Sequence, residues 1–235
     1  MAEARRREPL GAPKAIIAPH AGYVYSGPIA GTAYSCLREG HPQVQRVVLM
    51  GPSHRAAFSG VAASAADSFE TPLGDVRVDR DALVQLLREK LIVENDRAHR
   101  DEHSLEVHLP FVQRLYPDAL VIPLLVGDAE FRRPQEILQE LWGDPSTVVV
   151  VSSDLSHYRD YETARRMDGE TAKAIEALEA GRIGWEQACG ATPVNALLGA
   201  AARHGLRAHT VDLRSSGDTA GPRDEVVGYG AFVFT

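Results

Sequence analysis

The chain has 235 residues, 44% of them hydrophobic and 24% charged, a composition typical of a globular protein that can bury a sizeable core. Its net charge of -7 argues against a nucleic-acid-binding surface, and no apolar run approaches the roughly 20 residues of a membrane span. Two cysteines are too few for a disulfide scaffold, and the N-terminus lacks the apolar core of a signal peptide, so we expect a cytoplasmic protein.

Strand-like and helix-like stretches alternate along the whole chain. Short apolar runs predict strands over 15–18, 47–50, 61–64, 76–78, 120–126, 147–151, 207–213 and 226–234. Helical patterns cover 26–37, 80–90, 134–142, 161–178, 183–188 and 193–204, with Asp79 as the cap of the second. We therefore predict a flexible leader over 1–13 and, over 14–235, one α/β domain whose central mixed, largely parallel sheet is flanked by helices.

Three of the predicted strands are followed within a few residues by a histidine. His20 comes after the first strand and Pro19, His54 after the second strand and Pro52, and His157 after the most continuous, central strand. Open α/β sheets bind their ligands at the carboxyl ends of their strands. If these strands are parallel neighbours, the three histidines converge on one site.

His20 and His54 are the best candidates for metal ligands, because neutral imidazole suits iron, copper, zinc or nickel. Cys189 is a candidate third ligand. It lies just ahead of a predicted helix, where the helix N-terminus lowers the pKa of a thiol and favours the thiolate. The alternative is that Cys189 is a small buried hydrophobic residue.

Asp154 and His157 are candidates for proton transfer, since a histidine oriented by a carboxylate can act as a general acid or base. The alternative is that Asp154 caps a helix and is merely paired with His157. Tyr23 and Tyr25, beside His20, are candidates for lining a pocket or binding a ligand by hydrogen bonds.

A further group of titratable residues lies in the 101–111 stretch. On a helix, His103 and Glu106 share a face and His108 is turned partly away. The spacing differs from the H-E-x-x-H pattern of metalloproteases. We expect Glu102, His103 and Glu106 to support the site from a second shell or to line its pocket; a solvated or capping role is the alternative.

These motifs resemble those of the Memo family, in the same order along the chain. The match runs from about Ala15 to the C-terminus and rests on Pro19-His20-Ala21-Gly22-Tyr23, Gly51-Pro52-Ser53-His54, Glu102-His103-Ser104-Leu105-Glu106-Val107-His108-Leu109-Pro110 and Ser152-Ser153-Asp154-Leu155-Ser156-His157.

The resemblance implies a fold similar to the class III (LigB-type) extradiol dioxygenases, which use non-haem Fe(II). It implies metal ligands at His20, His54 and Cys189, and an acid/base histidine at His157 beside Asp154. It also implies a radical-SAM protein and an AMMECR1-like protein as partners of prokaryotic members. The dioxygenases have a glutamate as the third ligand, whereas the corresponding residue here is a cysteine, which softens the site toward Cu(I) or redox chemistry. The alternative is a carboxylate ligand from Asp154 or Glu102.

Four hypotheses about function follow. The first is a Memo-type metal-binding protein with Fe(II) as the favoured ion, copper as the second choice and zinc as the third, and with redox or oxygen-dependent chemistry. The second is an extradiol-type dioxygenase acting on a catechol-like aromatic compound. The third is a non-catalytic module that binds a peptide or protein in the same strand-end pocket. A zinc-dependent hydrolase is a fourth reading.

Overall fold

A computed structural model of the protein describes residues 11–41, 43–143 and 145–235. Residues 1–10 of the predicted leader lie outside the described residues. The strands are β1 (Ala15–Ala18), β2 (Arg46–Pro52), β3 (Val61–Ala63), β4 (Ser68–Thr71), β5 (Gly74–Arg77), β6 (Val93–Glu94), β7 (Leu120–Val126), β8 (Thr147–Ser152), β9 (His157–Arg159), β10 (Ala208–Ser215) and β11 (Val226–Phe234). The helices are α1 (Tyr23–Gly40), α2 (Arg80–Arg88), α3 (Asp96–Arg100), α4 (His103–Glu106), α5 (Leu109–Leu115), α6 (Arg132–Glu140), α7 (Tyr161–Glu176) and α8 (Ala191–Arg203).

Among these residues the strands form one large mixed sheet in the order β10-β11-β1-β8-β2-β7-β3-β6, with β9 paired to β11. The four central strands, β1, β8, β2 and β7, are parallel, while β11 is antiparallel to β1 and β3 is antiparallel to β7. The predicted α/β domain with a mixed, largely parallel sheet is confirmed, and β8 is central as expected.

The sheet is buried on both faces, because alternate residues of a strand point to opposite sides. Ile17 and Val149 belong to one core and Ile16 and Val150 to the other, and all four are fully buried. Residues of α6 and α8 line the first core, and residues of α1 and α5 line the second. This is why the central strands are continuous apolar runs with no polar alternation.

The first helix differs from its prediction. It begins at Tyr23, so that Pro28 lies inside the helix and not at its first turn. The carbonyl of Gly22 accepts hydrogen bonds from the N–H groups of Tyr25 and Ser26, at 2.8 and 3.1 Å, which starts the helix three residues early. Proline near the start of a long helix costs a single intrahelical bond, which the packing of α1 on the sheet tolerates.

The helix predicted over 183–188 is absent, and this stretch consists of turns. The side chain of Asn195 explains the difference. Its oxygen accepts the N–H groups of Gly181 and Ile183, and its nitrogen donates to the carbonyl of Ile183 at 2.8 Å. The buried amide therefore takes the carbonyl of Ile183, which a helix over 183–188 would pair with a later N–H, and holds the preceding turn by its two N–H groups.

Two features of the fold matter for the site. The parallel strands β1, β8 and β2 are neighbours, so the loops after them meet at one edge of the sheet, as the sequence predicted. Within the described residues, none of the helices has the length and apolar character needed to cross a bilayer.

Candidate metal centre

Three histidine side chains meet at this edge. His20, His54 and His103 each place a ring nitrogen within 4.8 Å of the other two. The ring centroids are 5.2 Å apart for His20 and His54, 5.5 Å for His20 and His103, and 5.2 Å for His54 and His103. His20 is buried, whereas the other two are partly exposed, so the cluster opens to solvent on their side.

Glu102 holds His54 in place. The Oε1 atom of Glu102 lies 2.9 Å from Nδ1 of His54 and accepts the N–H of Ser104 at 3.0 Å, while Oε2 accepts the backbone N–H groups of His54 and Arg55. Burial acts to raise the pKa of Glu102, but these hydrogen bonds outweigh burial and lower the pKa to about 2. Since a carboxylate only accepts, Nδ1 of His54 carries a proton, and in the neutral ring the lone pair is on Nε2.

Cys189 and Asp154 border His20. The Sγ atom of Cys189 is 3.4 Å from Nε2 of His20, and Oδ2 of Asp154 is 4.0 Å from the same nitrogen. The other carboxylate oxygen, Oδ1, accepts the N–H groups of His20 and Ala21 at 2.8 and 3.3 Å. Asp154 thereby fastens the loop after β1 to the loop after β8.

The thiol of Cys189 does not have the lowered pKa expected from its position before a helix. Burial, followed by the negative charge of Asp154, raises the pKa of Cys189 to about 12. The lowered pKa expected of this thiol is not found: α8 begins at Ala191, closer to Cys189 than predicted, but desolvation of the enclosed sulfur outweighs the effect of the helix N-terminus. A cation bound beside the sulfur reverses this balance, since it stabilises the thiolate.

A buried chain of hydrogen bonds behind His20 was missed by sequence analysis. Nδ1 of His20 is 2.6 Å from Oγ of Ser152, which is 3.0 Å from Nε2 of His108, and Nδ1 of His108 is 3.1 Å from the hydroxyl of Tyr34. Burial is the main cause, and the neighbouring histidines the second, of a pKa of His20 well below its usual value. Burial, followed by the effect of His20, lowers the pKa of His108 to about 3. A polar residue closing the apolar run of β8 was the signal available in the sequence.

His157 lies beside the cluster at the start of β9. Its Nδ1 is 2.8 Å from the carbonyl of Leu155, which only accepts, so Nδ1 donates there and, in the neutral ring, the lone pair is on Nε2. His157 is near enough for its charge to act on the pKa values of His20 and Asp154. The Leu155 carbonyl orients His157, whereas the hydrogen bonds of the Asp154 carboxylate go to the His20 loop.

The other expected pocket residues lie farther out. The hydroxyl of Tyr23 donates to the carbonyl of Val107 at 3.0 Å, and Tyr23 and Tyr25 are both exposed on the first turn of α1. Glu106 is exposed and, together with Glu102 and Leu105, lines a cavity of about 200 Å³ beside the histidine cluster. The pocket role expected of Glu106 therefore falls in this neighbouring cavity.

The donor atoms fit a transition-metal ion. Two ligands of one ion lie roughly 3–3.7 Å apart when their bonds to it are near 2.0–2.3 Å, and the His20–Cys189 separation is 3.4 Å. The ring nitrogens of His20, His54 and His103 lie within 4.8 Å of one another, a wider limit than one ion requires, and Cys189 is not a member of this group. Imidazole with thiol suits iron, copper or zinc.

Fold and site together define an α/β protein with a histidine-rich, strand-end candidate metal centre. The chain belongs to the Memo-like protein family, whose family model matches residues 3–233. A MEMO1 family protein of Saccharolobus solfataricus is 37% identical over 91% of this chain and 80% of its own length. One from Methanopyrus kandleri is 35% identical over 93% of this chain and 82% of its own. The crystal structure of an uncharacterized Escherichia coli K12 protein, 15% identical, shares the fold with a TM-score of 0.55 over 92% of this chain and 98% of that chain.

Proposed function

We propose that this Memo-family protein binds a redox-active transition-metal ion through His20, His54 and Cys189. Fe(II) is the favoured ion, copper the second choice and zinc the third. The observation that carries the proposal is the pairing of two histidines whose Nδ1 atoms are engaged elsewhere, so that their Nε2 atoms are left for a metal, with the Cys189 sulfur 3.4 Å from one of them.

The third ligand is assigned to Cys189 on grounds of charge. Three neutral imidazoles leave a divalent ion uncompensated, whereas a thiolate supplies a negative charge within the buried half of the site. His103 belongs to the same histidine cluster and is the competing candidate for this position. Asp154, with Oδ2 at 4.0 Å from Nε2 of His20, adds a nearby negative charge that favours a bound cation.

A bound iron or copper ion supplies one-electron chemistry or the activation of dioxygen. The protein's own groups orient and protect that chemistry. Asp154 anchors the His20 loop, Glu102 anchors His54, and the lone pair on Nε2 of His157 can hold a proton beside the cluster. A small-molecule or peptide ligand enters from the solvent side formed by His54 and His103.

Neither cysteine is in a disulfide, which fits a reducing compartment, and we propose a cytoplasmic location on that ground. A radical-SAM protein and an AMMECR1-like protein are proposed as partners of the Memo type. Co-purification of tagged protein with either partner from its native host tests that assignment.

The test is anaerobic titration of metal-free protein with Fe(II), Cu(I), Zn(II) and Co(II), with bound metal counted by elemental analysis. We expect one ion per chain, and a thiolate-to-metal charge-transfer absorption with Co(II). His20→Ala and His54→Ala should lose the ion, and Cys189→Ser should lose the absorption. His209→Gln, on the edge strand β10, is the control and should bind normally.

The outcome separates the two candidate ligands. Charge-transfer absorption that survives in His103→Ala and disappears in Cys189→Ser supports Cys189. If the wild type binds metal without such absorption, and if His103→Ala loses the metal, the third ligand is His103 and not Cys189. Wild-type protein that takes up none of the four ions overturns the proposal.

A further inference from the structure

A chain of four buried side chains runs from the candidate metal centre into the core. It comprises His20, Ser152, His108 and Tyr34, each at most 2% exposed, and we call it the buried relay. Its links are 2.6 Å (His20 to Ser152), 3.0 Å (Ser152 to His108) and 3.1 Å (His108 to Tyr34). Four polar side chains that form a continuous chain of hydrogen bonds inside an apolar core call for a functional or structural explanation.

The hydroxyl of Ser152 determines the direction of these bonds. Its oxygen lies 2.6 Å from the carbonyl oxygen of Ser104, which can only accept, so the single proton of Ser152 is directed there. Ser152 then has only lone pairs for the two rings. Nδ1 of His20 and Nε2 of His108 must therefore both be protonated and donate to it.

The far end of the relay agrees with this assignment. Once Nε2 of His108 carries the proton, Nδ1 of His108 is an acceptor, and the phenol of Tyr34 can donate to it. Every relay group then has a partner of the right kind. With both rings neutral, any other placement sets two donors or two lone pairs against each other at 2.6 to 3.1 Å.

We propose that Ser152 and His108 are positioning residues which hold His20 in its Nδ1–H tautomer, so that the Nε2 lone pair faces Cys189. That this tautomer leaves Nε2 of His20 for a metal ion rests on the proposed metal-binding function. In the other tautomer a proton on Nε2 points into the site and competes with a metal ion. His54 is held in the same tautomer by Glu102, a buried carboxylate that three backbone N–H groups stabilise, whereas His20 is held by an uncharged hydroxyl.

An uncharged partner suits the deeper position. A second carboxylate behind His20 would be desolvated on all sides and would be costly without its own counter-charge. Ser152 fixes the tautomer with no added charge, at the cost of requiring further neutral partners, which Ser104, His108 and Tyr34 provide. This accounts for a polar core that a purely structural strand end does not need.

The test is nitrogen NMR of histidine-labelled, metal-free protein. In the wild type we expect His20 as a single Nδ1–H tautomer and His108 as a single Nε2–H tautomer. Ser152→Ala should give a mixture at His20 and weaken metal binding by about 10–100-fold. Thr32→Val is the control, since it also removes a buried hydroxyl, in hydrogen-bonding reach of Asp212, and it should change neither readout.

Variants of His108 keep the inference testable if Ser152→Ala does not fold. His108→Gln retains an N–H donor for Ser152 and should keep the His20 tautomer and most of the affinity, whereas His108→Leu should lose both. A purely structural role predicts equal effects of these two variants. An Nε2–H tautomer of His20 in the wild type, or an unchanged tautomer in both Ser152→Ala and His108→Leu, overturns the inference.

The tautomer and the metal are read separately. A wild-type protein with the expected tautomers that binds no metal leaves the positioning of His20 standing and removes the proposed function. A wild-type protein that binds metal but shows a tautomer mixture at His20 supports the proposed function and overturns the positioning of His20.

Discussion

Glu102 receives two hydrogen bonds from His54, one from the ring and one from the backbone. The same carboxylate caps α4 by accepting the N–H of Ser104. One side chain therefore fixes the position of the loop after β2, the tautomer of its histidine and the start of the helix that carries His103. The geometry of the exposed half of the site depends on this single buried charge.

Glu102→Gln should weaken both folding and metal binding. The amide keeps one acceptor but presents N–H donors to the N–H groups that Glu102 accepts, so we expect a loss of about 1–3 kcal/mol in the free energy of unfolding. Metal affinity should fall by about 10–100-fold, because the ring of His54 loses its anchor. Urea unfolding and metal titration measure the two effects.

Glu106→Gln, in the short helix that Glu102 caps, is the matched control for Glu102→Gln. Glu106 is exposed, and we expect a change in unfolding free energy within about 0.5 kcal/mol and unchanged metal affinity. Equal behaviour of the two variants contradicts the anchoring role of Glu102.

Metal binding should release one proton per ion near neutral pH if Cys189 is a ligand. The pKa of the metal-free thiol is raised to about 12, so the sulfur is protonated before binding and must lose its proton to coordinate. Calorimetric titrations in buffers of different ionisation enthalpy count the released protons. Cys189→Ser should release none, and a count of zero in the wild type assigns the third position to His103.

Asp168→Asn should remove part of the pH dependence of stability. Burial raises the pKa of Asp168 to about 6, and the N–H of Ser156, which donates to its Oδ1 at 3.0 Å, offsets burial only in part. The folded state therefore binds a proton that the unfolded state has released between about pH 4 and 6. The contribution of Asp168 to the free energy of unfolding is complete below its pKa in the unfolded state. It is lost as the pH rises through its pKa in the folded state.

Relative to Asp168→Asn, the wild type should thus lose about 1–3 kcal/mol of unfolding free energy between pH 4 and pH 7.5. Urea unfolding of both proteins at the two pH values measures the difference. A constant difference between the two proteins across this range would show that Asp168 titrates normally.

Gly228→Ala should be strongly destabilising. A Cβ atom at this position would lie 1.9 Å from Oδ2 of Asp168, and the backbone of Gly228 is held by hydrogen bonds with Leu155 and Ser156. We expect a loss of about 2–3 kcal/mol in the free energy of unfolding, measured by urea denaturation. Asp168→Ala in the same chain should recover part of the loss, because it removes the clashing atoms.

Gly31→Ala is the control for Gly228→Ala. Gly31 lies within α1, and a Cβ atom there meets nothing within 4 Å. Alanine should stabilise the helix by about 0.5–1 kcal/mol. A loss of stability at Gly31 comparable to that at Gly228 would attribute both effects to glycine replacement in general and not to Asp168.

The sequence by itself determined the sheet and the edge at which the site is built. Continuous apolar runs such as 147–151 predict strands buried on both faces, and proline, glycine and histidine directly after them mark strand ends. It also determined the capping of α2 by Asp79, whose side chain accepts the N–H of Ala82 as predicted. These features depend on neighbours in the chain, which is why local patterns reveal them.

Only the tertiary structure decided which side chains face one another. His108 and Ser152 are 44 residues apart in the chain. The sequence predicted a helix residue turned partly away at His108 and a strand end near Ser152, yet the two side chains meet in the core. Likewise the pKa of Cys189 follows from burial and from Asp154, not from its place before a helix. Burial and long-range hydrogen bonds depend on how distant segments pack, and no local pattern encodes that packing.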